Sequence, residues 1–342
     1  MPGPNIGRME QFWVDHYAFL ERRGYRLRPR YDPVHLPIRE RVKWYQSSPS
    51  YPEDEITTLR PAVLDAVRTV DGLTVVLRKA TTWSDEVPIL QRLNDLHSDP
   101  RNRTVPILDT ILLPDSDEHV LLVIPLLHSY YDPPFTSPAQ VVQALLQLLE
   151  AMQFLHENDV AHSLVRDFCT NNLMLDPSEL FPEGFHVARP YLSRDGQTLG
   201  VNFRNRPDVS PVRYFVIDFG LATHLPYRSG WVTTGVFGAD KTVPELSWET
   251  PYDPFKVDIY QFGRVIMCDM IEVYNGLEFL RPLAEEMTRK DPDRRPDVTT
   301  SLALLREIAM HLPAAELQRD IWPVNHTIML GFTSRPRRSC CG

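Results

Sequence analysis

The sequence predicts an α+β chain in which a small antiparallel sheet comes first and a larger, mainly helical part follows. Three observations predict it. Apolar runs of strand length cluster before residue 127, helix-periodic segments dominate after it, and one helical pattern interrupts the strands. The length, 342 residues with 43% hydrophobic content, is enough for two folded parts and a sizeable core.

The elements follow in order. "MEQFWVDHYAFLERRGY" sets Phe12, Trp13, Tyr17 and Leu20 about one helix face, with Gly24 as the stop. Residues 46–59 read as a polar loop. "PAVLDAV" and "LTVVLRKA" read as strands joined at Asp71-Gly72, a hairpin signal. A helix is expected from Ser84, whose hydroxyl can cap it, to Leu96. "VPILDTILL" and "HVLLVIPLL" read as two more strands, and residues 138–156 as a strongly apolar helix. The remainder is mainly helical and ends in "TTSLALLREIAMHL". There is no internal repeat and no low-complexity tract.

Composition excludes several classes. A net charge of −9 gives no electrostatic reason to expect nucleic acid as a partner. Cys169, Cys268, Cys340 and Cys341 contain no CxxC pair, so neither a zinc site nor a disulfide framework is expected. "MPGPNIGRMEQFW" lacks the apolar core of a secretory signal, and the run "VLLVIPLL" is too short to span a bilayer. These features predict a chain with no transmembrane segment, located inside the cell in cytoplasm or nucleus. The end "SRPRRSCCG" reads as a disordered tail, with C-terminal lipidation as the weaker alternative because no C-a-a-X box closes it.

The motif-bearing stretch is "AHSLVRDFCTNNLMLD", where Asn172 stands five residues after Asp167. Downstream, "YFVIDFGLA" runs as a strand into Asp218-Phe219-Gly220. "TVPE" then supplies Glu245, "VDIYQFG" Asp258 and Gly263, and "DPDRRP" Arg295. Each piece alone is weak, but the ordered set resembles the eukaryotic protein kinase family. "ERRGYRLRPRY", "DAVRTVDG", "DPPF", "FPEGF" and "GADKTVPE" resemble a fungal branch of kinase-like proteins, and the likeness covers roughly residues 10–312.

The resemblance implies a two-lobed fold. Its parts would be an N-terminal helix and extension (1–55), a small lobe (56–127), a large lobe (128–312, with an insertion within 176–213) and a tail (313–342). It implies ATP and Mg2+ as cofactors and a protein substrate carrying serine or threonine. Asp167 would orient the attacking hydroxyl, and Asn172 and Asp218 would hold the metal against the phosphates. Val63 and Val76 would face the adenine, which would bond the Pro125 carbonyl and the Leu127 amide after a gatekeeper Ile124. Glu245 and Arg295 would pair as a buried structural bridge. Arg166 would sense a phosphate on the segment 221–242, which carries Tyr227, Ser229, Thr233 and Thr234.

The chain also departs from the family pattern. "VVLR" stands where "VAIK" is expected, and neighbours on a strand point to opposite faces, so Arg78 would meet phosphate, or Lys79 would if a twist or bulge brings it in; otherwise Lys79 is a solvated strand-end cation. Glu86 would be the partner glutamate, or an ordinary first-turn acid favoured by the helix dipole. No glycine occurs within residues 56–71, so any loop over the phosphates would cover them less closely. Residues 163–165 intrude between His162 and Arg166-Asp167, which is expected to displace His162 from beneath the Asp-Phe-Gly turn and leave Val165 nearest. Cys169 stands where a lysine is expected; it reads as a buried inert thiol or a reactive one. The insertion reads as a long surface loop beside the cleft. Two functions remain open: an active protein kinase, or a pseudokinase serving as a nucleotide-binding or protein-interaction scaffold. Phosphorylation of a small molecule is a third, weaker idea.

Overall fold

The structure, a computed structural model, describes residues 6–8, 10–34, 56–58, 60–162, 170–220, 222–225, 232–236 and 241–324. It is mixed α and β, with the main sheet drawn from the first part of the chain and the longer helices mostly from the rest. Among the described residues no helix is long and apolar enough to cross a membrane. Contacts divide the chain into two compact units. The first is Met1–Thr81, Ile107–Leu126 and Pro177–Asn205; the second is Thr82–Pro106, Leu127–Asp176 and Arg206–Gly342.

The first unit is built on a sheet covered by helices. Two short helices, α1 (Gln11–Asp15) and α2 (Tyr17–Arg22), precede β1 (Tyr25–Arg26), β2 (Val63–Arg68), β3 (Thr74–Thr81), β4 (Asp109–Leu113) and β5 (Ser116–Pro125). The sheet order is β1-β2-β3-β5-β4, with every neighbour antiparallel. Gly72 turns the β2–β3 hairpin with φ of +71°, a conformation glycine adopts without a Cβ penalty. Val75 and Leu77 of β3 and Leu64 and Ala66 of β2 share one core with Trp13 and Leu20. The helix face read from the sequence therefore covers one side of the sheet. Beside it, Glu10 and Arg30 form a buried pair (Nη2–Oε2 2.7 Å) that also takes the Tyr31 hydroxyl at 3.1 Å. Burial raises the Glu10 carboxyl, but the bonds from Arg30, the Gly7 amide and Tyr31 outweigh it and hold it below its usual value.

The second unit is mainly helical. It holds α3 (Glu86–Asp95), β6 (His128–Ser129), α4 (Pro138–Glu157), β7 (Val160–Ala161), β8 (Leu173–Leu175) and β9 (Tyr214–Val216). Further on come β10 (Thr223–His224), β11 (Thr233–Gly235), β12 (Ser247–Tyr252), α5 (Pro254–Val265), α6 (Arg281–Met287), α7 (Val298–His311) and α8 (Ala314–Gln318). The helix expected from Ser84 begins at Glu86. The residue preceding α3 is Asp85, already in helical φ/ψ and making no side-chain cap bond. Cys268 is disulfide-bonded.

Two features named from the sequence are structural anchors here. Arg295 and Glu245 form a bidentate pair, with Nη2–Oε2 at 2.7 Å and Nη1 on Oε1. Arg295 also donates to the carbonyls of Arg289 (2.7 Å) and Lys256 (3.0 Å) and lies over the Tyr260 ring. Gly263 lets α5 approach α6 closely. A Cβ there would meet Met287 Cβ at 2.7 Å and Thr288 Cγ2 at 2.9 Å. Alanine gains about 1 kcal/mol of helix propensity over glycine, but overpacking costs about 1–3 kcal/mol. Gly263→Ala is therefore expected to destabilise the protein, read as a lower urea midpoint at unchanged slope.

Candidate functional site

The expected site residues fall in both units. In the second unit, the β8–β9 ladder runs Leu173↔Val216, Met174↔Phe215 and Leu175↔Tyr214. The Ile217 amide extends it by donating to the Asn172 carbonyl at 3.0 Å. Asn172 and Asp218, 46 apart in number, thus leave the same end of one hairpin. Asn172 is 5% exposed. Asp218 takes φ of +66°, the left-handed region that Asp tolerates better than most residues.

His162 holds this turn from beneath. Its ring meets Phe219 edge-on at 4.9 Å, and its Nε2 donates to the Ile217 carbonyl at 3.1 Å. Its backbone amide donates to Asp258 Oδ2 at 3.1 Å, and His156 Nε2 donates to the same oxygen at 2.9 Å. The expectation that residues 163–165 displace His162 is therefore corrected. Pairing of β7 with β10 (Ala161↔Thr223) and the buried Asp258 fix the chain up to His162.

The far side of the loop is held as well. Thr170 begins a single 3-10 turn, Thr170–Asn172, and its hydroxyl donates to Asp269 Oδ2. Tyr130 OH donates to that same oxygen at 3.1 Å. Asp269 sits in a π-helical stretch, Ile266–Ile271, that continues α5. Residues 163–165, Arg166, Asp167 and Cys169 lie outside the described residues, as do Tyr227 and Ser229. Thr233 and Thr234 lie on β11, and Thr234 is exposed.

Burial lowers the His162 pKa, with Asp258, the Ile217 carbonyl and Asp218 opposing it, so the ring is neutral at neutral pH. An unfolded histidine titrates near 6.5. Below that value the unfolded chain binds a proton that the folded chain refuses, so acidification favours unfolding. Unfolding free energy is expected to fall as pH drops from about 6.5, and His162→Gln should flatten that part of the profile.

In the first unit, pairing sorts the strand residues by face. Val63 pairs with Arg78, Asp65 with Val76 and Val67 with Thr74, so these six side chains share the face opposite α1 and α2. Lys79 does not join them. It pairs with Leu121 on the helix-covered face, and its ammonium lies 4.5 Å from the Phe12 ring centroid. Pairing is regular through Lys79, so of the two alternatives it is Arg78 that shares the face of Val63 and Val76. Pro125 pairs with Val75 at the end of β5. Leu127 belongs to the second unit, which also contains Glu86 at the first turn of α3. Glu86 is 5% exposed, unlike a solvated first-turn acid.

Two further sequence expectations change. Residues 60–63 form a turn (Val63 N to Arg60 O, 3.0 Å) held by Trp13 Nε1 on the Pro61 carbonyl at 3.1 Å. The neighbour of β2 on that side is β1, far back in the chain, so the described residues form no hairpin in front of Val63. The segment Pro177–Asn205 is not a bare surface loop. It buries Leu180, Phe181, Phe185 and Leu192 and groups with the first unit. The sequence reading gave no role to Thr170, Tyr130 or Asp269, whose only signal is convergence in space.

No protein-family model matches this chain, and no curated protein matches it.

Proposed function

We propose that this chain is a two-lobed, protein kinase-like phosphotransferase that uses ATP and magnesium and transfers the γ-phosphate to serine or threonine of a protein. The observation that carries the reading is the hairpin end where Asn172 and Asp218 emerge together above a neutral, buried His162. Those two residues offer a carboxamide and a carboxylate oxygen, hard donors of the kind magnesium takes. Among the described residues no three His, Cys, Asp or Glu side chains gather into a metal cluster. In this reading magnesium would be held by Asn172 and Asp218 together with the phosphates of the nucleotide. When bound, it neutralises charge on the phosphate oxygens.

The chain's own residues supply the rest. Asp167 accepts a hydrogen bond from the substrate hydroxyl and takes its proton. Val63 and Val76 give the base an apolar surface, with the Pro125 carbonyl and Leu127 amide as its polar contacts. Arg78 supplies the strand cation, as a planar fork in place of a compact ammonium. The activity is placed inside the cell, in cytoplasm or nucleus.

A second reading, a pseudokinase that binds nucleotide or a protein partner without transfer, draws on Arg78, on Lys79 facing Phe12 and on the turn before Val63. The phosphotransferase reading requires bound nucleotide, as does the nucleotide-binding form of the second. Magnesium-ATP at about 100 times its Kd is expected to add about 2.7 kcal/mol of stability to the native chain. Asp218→Ala should remove the magnesium-dependent part. Equal ATP affinity with and without magnesium would contradict the assignment of Asn172 and Asp218.

A further inference from the structure

Asn172 sits inside a closed chain of hydrogen bonds. Two positions before it, the Thr170 hydroxyl donates to Asp269 Oδ2. The Tyr130 hydroxyl donates to the same oxygen at 3.1 Å. One position after Asn172, the Leu173 carbonyl accepts from the Tyr130 amide at 3.3 Å. The chain of bonds thus runs from Thr170 through Asp269 and Tyr130 back to Leu173, and Asn172 lies between its two ends. All of these residues belong to the second unit.

The links are themselves held. Asp269 is 7% exposed and stands in the π-helical stretch, where the Glu272 amide donates to the Met267 carbonyl at 3.0 Å. A π turn lodges one residue more than an α turn and occurs frequently at functional sites. Tyr130 is fully buried and edge-on to Phe135, and its carbonyl accepts from Arg206 Nη2 at 2.8 Å. Hydrogen-bond networks sheltered from water rigidify what they hold.

The backbone does not need the Thr170 hydroxyl to close. β8 is already paired on both sides, with β6 and with β9. What the hydroxyl adds is the placement of the single 3-10 turn just ahead of β8, and that turn ends at Asn172.

We propose that Thr170 and Asp269 are positioning residues for magnesium: they fix the turn that presents the Asn172 carboxamide as a metal ligand beside Asp218. This rests on the function proposed above. Neither residue touches the ion or the nucleotide; both act through Asn172. Losing a group that orients a metal ligand weakens metal affinity by about 10–100-fold.

The test uses the full chain and a fluorescent ATP analogue, titrated with magnesium and, separately, with magnesium chelated away. Thr170→Val removes the hydroxyl at nearly equal volume, and Thr170→Ser keeps it. Tyr130→Phe removes the other donor to Asp269 and keeps the ring. The magnesium concentration for half-maximal binding is expected to rise about tenfold in Thr170→Val, to rise less in Tyr130→Phe, and to stay native in Thr170→Ser. Magnesium-free affinity and the urea midpoint are expected to stay close to those of the native chain. An unchanged magnesium requirement in Thr170→Val overturns the positioning role and leaves the phosphotransferase reading standing. A rise matched by an equal loss of magnesium-free binding also overturns it, because that marks a general loosening of the fold. So does a rise that Thr170→Ser shares, since the hydroxyl is then not the cause. Binding by none of the four proteins overturns both the positioning role and the phosphotransferase.

Discussion

Replacing Arg295 with methionine is expected to lower the unfolding free energy by about 3–5 kcal/mol. The guanidinium is fully buried and Glu245 nearly so, with side-chain exposures of 0% and 9%. Removing the cation leaves the Glu245 carboxylate without its partner in a site of low polarity, and the Arg289 and Lys256 carbonyls lose their donor. Whole domains are stable by only about 5–15 kcal/mol, so this single change removes a large share. Replacing both partners, as Arg295→Met with Glu245→Leu, is expected to recover part of the loss, because a buried pair is costly to desolvate and its double removal can be near neutral. Recovery stays incomplete because the two carbonyls remain unpaired. Urea midpoints for the four proteins of the cycle give the coupling directly. A loss below about 1 kcal/mol would mean the pair behaves as a solvated surface bridge.

Much of the fold was legible because it rests on local signals. The β2–β3 hairpin follows from alternation and from Asp71-Gly72, and α4 from a long apolar periodicity. The Glu245–Arg295 pair was legible across 50 positions only through motif order, since no local rule joins residues so far apart. Strand alternation showed that Arg78 and Lys79 must part, but not which face the helices cover; Phe12 and the α1–α2 core decide it. His162 was misread because three extra residues suggested a shifted loop, whereas the anchors on both of its sides, Ala161 on Thr223 and the ring on Ile217, absorb nothing.

The central claim is that the chain transfers phosphate, and Asp167 decides it. A general base at the attacking hydroxyl contributes about 10²–10⁴-fold to rate. It does not hold the nucleotide, so its loss should appear in turnover and leave ATP binding nearly intact. Asn in its place keeps size and hydrogen bonding but cannot take the proton, and fold stability should change little. The measurement is phosphate transfer from ATP to a generic protein substrate by the native chain and by Asp167→Asn, with nucleotide binding followed in parallel. The expected result is transfer by the native chain, a loss of about two to four orders of magnitude in the variant, and equal binding by both. Background transfer by both proteins, with ATP still bound, would contradict the phosphotransferase and leave the pseudokinase.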